Sequence, residues 1–202
     1  MPKKRSKFHT FVIAVITVLA AGLFLMTLVR AVWYSPDTEI QLPDDVSLGE
    51  LVPPGEYADR LQIPKLNIDA NVQDVGINAQ GNMANPNNFT DVGWYKYGTV
   101  PGRRGSAVMA GHVDNALSLD GVFKRLGDLE TGDEVFVIRN DGQRLRFIVE
   151  EIEIYDYKNA PVEKIFEQDD ARRLTLITCE GTWLRDEQSY DKRLVVYTRL
   201  AS

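Results

Sequence analysis

The run from Phe11 to Val29 carries no charged residue and is nearly all apolar. As a helix it would extend about 28 Å, close to the thickness of one hydrocarbon core. A segment of this kind commits the start of the chain to a bilayer and leaves only the residues beyond it to build a water-soluble fold. Lys3, Lys4, Arg5 and Lys7 crowd its N-terminal side, and the first acid is Asp37. The positive-inside rule therefore places residues 1–10 in the cytoplasm as a basic tail and the bulk of the chain outside. Residues 11–33 read as the span, with Arg30 snorkelling and Trp33 and Tyr34 forming an interfacial belt. A cleaved signal peptide would have a shorter apolar core, about 7–15 residues, ending in small residues. Here the run is longer and continues into Arg30-Ala31-Val32-Trp33-Tyr34, the pattern of an uncleaved signal anchor, single-pass with its N-terminus inside.

Residues 34–59 read as an extracellular linker. Pro36, Pro43, Pro53, Pro54 and Gly55 punctuate it, and proline favours extended, semi-rigid chain. A short helix near Asp45–Leu51 is compatible with the pattern but not required. Five of the 23 Lys and Arg lie before residue 35, and none of the 29 Asp and Glu do, so the remainder has a net charge of −11. An acidic globule lacks the basic footprint that phosphate backbones require, which argues against nucleic acid as a partner.

From residue 60 onward the texture is that of short strands. Leu61, Ile63, Leu66, Ile68, Val72, Val75 and Ile77 are separated by Pro64, Asn67, Asp69 and Gly76. Residues 78–88 are rich in Asn and Gly, hence turns. Ser106–Gly111 is a small-residue strand running into His112, and Asp120 is placed to cap one helical turn with Val122, Phe123 and Leu126 on one face. Glu134–Arg139 and Arg144–Ile154, joined by Asn140-Asp141-Gly142, form a hairpin signal. Pro161–Arg173 reads as a short helix with Val162, Ile165 and Phe166 inward. Leu174–Thr178 and Arg193–Leu200 are further strands. Many short strands with two or three brief helices point to a mainly β fold, a closed or nearly closed barrel.

Cys179 is the one cysteine in the chain. Outside the cell, cysteines usually come in pairs; here no internal disulfide can form. An inert buried thiol, an intermolecular disulfide and a reactive nucleophile all remain open. The thiol follows a β-rich run and precedes Glu180-Gly181-Thr182, where a side chain can emerge at a barrel rim. His112 is the one histidine beyond the apolar run, since His9 precedes it. It too follows a strand and opens a polar loop, Val113-Asp114-Asn115. Thiol acyl transfer needs a group that exchanges protons near neutral pH, and imidazole is suited to that. A tetrahedral intermediate also needs positive charge for its oxyanion. Arg185, Arg193 and Arg199 follow the cysteine, and Arg193, opening the last strand, is the best placed. Its bland alternative is a solvated surface arginine.

These segments resemble the sortase family of cysteine transpeptidases. Thr175-Leu176-Ile177-Thr178-Cys179 matches the family's TLxTC signature, Ala110-Gly111-His112 its histidine region, and Asp191-Lys192-Arg193-Leu194-Val195-Val196 its arginine strand. Arg60-Leu61-Gln62-Ile63-Pro64 is similar to the family's first strand. Gly93-Trp94-Tyr95, Gly111-His112-Val113-Asp114 and the stretch Thr182–Asp191 look most like class F sortases. The resemblance covers residues 60–202 and implies a catalytic domain there, a sortase-type closed β-barrel of about eight strands. It implies that Cys179 attacks the Thr-Gly bond of an LPXTG-like sorting signal and forms a thioester. His112 would serve as general acid and then help activate the incoming amine, and Arg193 would hold substrate and oxyanion. The implied partners are sorting-signal proteins and an amine acceptor, either a lipid-linked cell-wall precursor or a pilin lysine. Thr178 is a candidate for lining the peptide groove.

No cofactor is expected. Some sortases bind calcium through acids near the barrel. Glu163, Glu167, Asp169 and Asp170 are close in sequence, but a solvated helix face explains them equally, and no metal is assigned. The alternatives are another extracellular thiol hydrolase, such as an L,D-transpeptidase, and a catalytically silent barrel acting as a surface binding or assembly module. The former expects a His-Gly-Cys-like context, whereas Cys179 follows Thr178.

Overall fold

The computed structural model describes residues 7–33, 52–53, 55–115 and 117–201. The possible helix near Asp45–Leu51, the basic residues 1–6 and most of the linker lie outside them. An N-terminal helix and a β-barrel form separate compact units.

Helix α1 spans Lys7–Trp33, and its stretch His9–Arg30 is long and apolar enough to cross a membrane. Its large side chains are exposed on every side, Phe11 and Leu19 each by 67%. Its two threonines return their hydroxyls to the helix itself, Thr17 Oγ1 to Ile13 O at 2.9 Å and Thr27 Oγ1 to Phe24 O at 2.8 Å. In a bilayer no water would satisfy them, so this internal bonding matters.

The barrel has eight strands: β1 Ala58–Ile63, β2 Ile68–Val75, β3 Val92–Tyr95, β4 Gly105–Ala110, β5 Glu134–Arg139, β6 Arg144–Asp156, β7 Arg172–Leu184 and β8 Ser189–Leu200. It closes in the order β1-β2-β3-β4-β7-β8-β6-β5. The β2–β3 and β4–β7 pairs are parallel and the others antiparallel. The closed, mainly β architecture expected from the sequence is therefore present, as is the β5–β6 hairpin over residues 140–143. Val52 and Ala58 are buried with the barrel core, so barrel packing begins before residue 60.

Strand alternation makes two apolar layers out of one wall. Leu174 and Leu176 on β7, Val196 on β8, Ala107 and Met109 on β4, and Phe123 and Phe147 fill the interior, all fully buried. The alternate residues Val108, Ile177, Val195 and Tyr197 point outward and form a second cluster with Ile165 and Phe166. The outer layer is covered by α2, Val162–Phe166. Ser106 Oγ donates to Ile165 O at 2.7 Å and lies 3.0 Å from Thr175 Oγ1, pinning this short helix to the wall. This explains why β8 is buried continuously over Leu194–Thr198 instead of alternating.

Three local expectations change. The helix read over Pro161–Arg173 is one turn and a half, because no large apolar residue follows Phe166 on its inward face before β7 begins at Arg172; Val162 is 60% exposed while Ile165 is buried. Asp120 forms an isolated bridge with Asp114 rather than capping a helix. The residues behind it make turns and a 3-10 segment, Leu126–Asp128, with Phe123 and Leu126 buried as expected. Third, β7 does not end at the cysteine. It continues through Leu184, paired with β8 from Ser189 onward, as a two-stranded ribbon. A register shift between Glu180 and Trp183 marks a bulge. There Gly181 has φ +85°, and a Cβ would collide with the Asp191 carboxylate.

Candidate active site

The register of three adjacent strands builds the site. Ala110 of β4 pairs with Ile177 of β7 in parallel, and Gly111 N donates to Ile177 O at 3.2 Å, extending the ladder one residue past the strand. Cys179 in turn pairs with Arg193 of β8. Cys179 and Arg193 thus face each other on paired strands about 4.8 Å apart, and the β4 path, which leaves its ladder at Gly111, delivers His112 toward the same end of the wall. The Cys179–Arg193 pair belongs to the outer face. Ile177 and Thr175 precede Cys179 on that face, so the thiol stands at the end of the apolar strip beneath α2 and not at a rim.

Thr178 faces the other way. It is 4% exposed, and its hydroxyl donates to Gly111 O at 2.8 Å. Rather than lining an open groove, it ties the strand of the histidine to the strand of the cysteine. A buried bond of this kind contributes about 1 kcal/mol.

Cys179 is half-buried. Burial pushes its thiol pKa up, the Arg193 guanidinium pulls it down, and Asp114 pushes it up again. Burial is the largest of these, so at neutral pH the resting group is a thiol that needs a base.

His112 leaves the ladder and is held by loops. Its Nε2 lies 3.0 Å from Pro86 O. A carbonyl can only accept, so Nε2 carries the proton, and in the neutral ring Nδ1 is the acceptor nitrogen. Phe89 packs against the imidazole, centroids 4.8 Å apart and planes tilted by 49°. Pro86 and Phe89 belong to the Asn-rich loop between β2 and β3. That loop is tied down by Asp91, which accepts from Gln73 Nε2 and Asn88 Nδ2, each at 2.8 Å. On the other side, Phe123 N donates to His112 O at 2.9 Å and Gly121 N to Val113 O at 2.9 Å. A Cβ on Gly121 would collide with His112 O, so this close approach requires glycine.

Arg193 is oriented by the ribbon. Its Nη1 donates to Tyr190 O at 3.0 Å and Lys192 O at 2.8 Å, and its Nη2 to Ser189 Oγ at 2.9 Å. The guanidinium also lies 5.5 Å from the Tyr157 ring centroid, a cation–π contact. The Tyr157 hydroxyl is buried and has no hydrogen-bond partner among the described residues. Arg185 and Arg199 do not pair with Cys179; Arg199 pairs with Arg173 on β7 and binds Glu150 at 2.8 Å.

Two further residues flank the thiol. Tyr190 Oη donates to Asp114 Oδ2 at 2.5 Å, and burial together with this bond pushes its phenol up to about 12. Trp183 meets the Tyr190 ring edge-on at 5.3 Å. In the sequence Asp114 stands in a polar loop and in the Gly111-His112-Val113-Asp114 segment, and Tyr190 in the stretch leading to the arginine, neither with a role of its own. No local pattern signals a contact across 76 residues.

Among the described residues no three His, Cys, Asp or Glu side chains converge as a metal site. Of the four acids considered for calcium, Asp170 is paired with Arg173 at 2.7 Å, which holds its pKa at about 2.

A half-buried thiol thus faces a guanidinium across the β7–β8 ladder of a closed eight-stranded barrel, with an imidazole on the loop that leaves β4. The chain belongs to the sortase family, whose sortase domain model matches residues 61–201, and sortases are cysteine transpeptidases. No curated protein is similar enough in sequence to match it. Among solved structures it is similar to sortase C-1 from Actinomyces oris, with 20% identity over 83% of this chain and 88% of that one, TM-score 0.58. It is also similar to Listeria monocytogenes sortase A, with 20% identity over 73% and 88%, TM-score 0.53. A Clostridium perfringens sortase D5 transpeptidase shares 17% identity over 72% and 79%, TM-score 0.53. At these identities the likeness concerns the fold.

Proposed function

We propose that this sortase cleaves an LPXTG-like sorting signal between Thr and Gly and transfers the acyl group to an amine at the outer face of a membrane. The observation that carries the reading is the pairing of Cys179 with Arg193 on β7 and β8, beside the β4 path that leads into His112. Cys179 gives its proton to His112 and attacks the Thr carbonyl carbon. Arg193 offers the nearest positive charge to the resulting oxyanion. The imidazolium then protonates the departing glycine amine, and the C–N bond breaks to leave a thioester. An amine, from a lipid-linked cell-wall precursor or a pilin lysine, resolves it; water is the slower substitute.

We read α1 as the anchor of a single-pass protein with the basic N-terminus in the cytoplasm and the catalytic domain outside. Tethering enzyme and substrates to one surface raises their effective concentration. Within the family we favour class F, from Gly93-Trp94-Tyr95, Gly111-His112-Val113-Asp114 and Thr182–Asp191. Residues 1–10 would be the tail, 11–33 the span, 34–59 the linker and 60–202 the catalytic domain.

The test is the full chain in detergent with a fluorogenic Leu-Pro-X-Thr-Gly peptide. Wild type should release the Gly-bearing fragment and carry the acyl mass on Cys179, and Cys179→Ala should do neither. Cleavage by Cys179→Ala at the wild-type rate would sink the mechanism. Peptide binding without any acylation would make the barrel a binding module.

A further inference from the structure

Two segments continue past the paired strands at the site, the loop after His112 and the ribbon after Cys179, and one side-chain contact links them. The first folds back on itself, with Asn115 N donating to Leu119 O at 3.0 Å and Gly121 N to Val113 O at 2.9 Å, so Asp114 sits at its base. The second is the β7–β8 ribbon that follows Cys179, and Tyr190 lies on it. The Tyr190 hydroxyl and the Asp114 carboxylate meet at 2.5 Å. The phenol feels the thiol's charge, and the thiol feels Asp114. Asp114, two residues beyond His112, thus brings a carboxylate whose charge acts on Cys179 against that of Arg193.

That placement is unhelpful for the first half of the reaction. A carboxylate beside the nucleophile disfavours the thiolate, and Arg193 has to oppose it. The second half is different. The group that resolves the thioester is an amine, and at neutral pH a free alkyl amine is an ammonium ion. It must approach beside His112, which takes its proton. A carboxylate at that position attracts it and holds it within reach of the thioester.

We propose that Asp114 is the acceptor-recognition residue of this sortase: its carboxylate binds the incoming ammonium, which displaces the Tyr190 hydroxyl. This inference rests on the transpeptidase reading above. The ammonium sheds two protons along the path. One goes to solvent, and the other passes through His112 to the departing Cys179 sulfur. The nitrogen forms the new C–N bond as the C–S bond breaks, leaving an amide and a free thiol. Tyr190 fills the acceptor position between turnovers, so that the carboxylate is not left unpaired next to the thiol.

The experiment uses the full chain in detergent, the Leu-Pro-X-Thr-Gly peptide and two amines. Glycinamide is largely cationic near neutral pH, and hydroxylamine is uncharged there. Asp114→Asn should raise the KM for glycinamide about tenfold relative to the change for hydroxylamine. Tyr190→Phe, which frees the carboxylate, should lower the glycinamide KM while leaving its ratio to hydroxylamine in favour of the cation. Equal changes for the two amines in Asp114→Asn would reduce Asp114 to a residue that tunes the thiol or the fold, and would overturn the proposal. A higher glycinamide KM in Tyr190→Phe would also overturn it, because the tyrosine would then be part of the acceptor site. Absence of a thioester in the wild-type chain would instead overturn the transpeptidase reading and this inference with it.

Discussion

Cys179 and His112 stem from adjacent strands, β7 and β4, yet the fold holds them by different means. The cysteine lies inside a strand paired on one side with β8 and on the other with the end of β4. Its position is set by backbone ladders and by Leu174, Leu176 and Thr178 buried behind it. The histidine is one residue beyond its last ladder bond, and its ring is held by a proline carbonyl and a phenylalanine from a different loop. A strand fixes where a thiol is; loops decide which nitrogen a histidine presents and where it points. The position of Cys179 should therefore tolerate changes in the surrounding loops, and that of His112 should not.

The harshest way to probe this difference is to delete the groups proposed to act with the thiol. His112→Ala and Arg193→Ala should each lower kcat/KM for peptide cleavage about 10³-fold, the scale of a lost proton-transfer or oxyanion group. Both variants should keep Cys179 in its strand, so iodoacetamide should still alkylate it in the folded protein. Cleavage retained in Arg193→Ala would transfer the oxyanion role to backbone N–H groups.

A smaller effect should come from moving His112 without removing it. Gly121→Ala forces a methyl against His112 O, and the backbone must shift. Misplacement of a catalytic group by about 1 Å costs about 10²-fold, so cleavage should fall on that scale while thiol alkylation changes far less. Equal losses in both assays would show that thiol and histidine move as one unit, contrary to the comparison. Thr178→Val tests the link between the two strands. It strands the Gly111 carbonyl that accepts the Thr178 hydroxyl, and it should cost about 1–3 kcal/mol of stability in denaturant unfolding.

The same division governs what could be read from the chain in advance. Strand periodicity marks the barrel, and the solitary cysteine, the solitary histidine beyond the apolar run and Arg193 are the residues on which the proposed chemistry rests. These are features of residue type and local pattern. The extent of β7 beyond Cys179 was not legible, because Glu180–Leu184 has no apolar alternation; those residues are strand because β8 pairs with them. Helix α2 is shorter than the sequence suggests because its apolar positions end at Phe166, and the polar run 167–170 behind it forms a loop into β7. Thr178 looked like a surface residue beside a nucleophile, but the parity of β7 turns it inward. Pro86, Phe89 and Asp114 reach the site through loops and Tyr190 through the β7–β8 ribbon, contacts between distant segments that no local pattern encodes.

The finest probe of the comparison is the pH at which the thiol ionises. Burial sets the Cys179 pKa above the ordinary cysteine range, with Arg193 lowering it and Asp114 raising it. Alkylation of the wild-type thiol should therefore keep rising with pH past the midpoint of a free cysteine. Replacing Arg193 with Gln removes the favourable charge, so the midpoint should move up. Replacing Asp114 with Asn removes the unfavourable one, and the midpoint should move down. Groups on the strand and on the loop thus shift the thiol in opposite directions, although neither bonds to it. Mass spectrometry of iodoacetamide adducts across a pH series reads both. A midpoint that moves the same way in the two variants would mean that changes in burial, rather than the two charges, control the nucleophile.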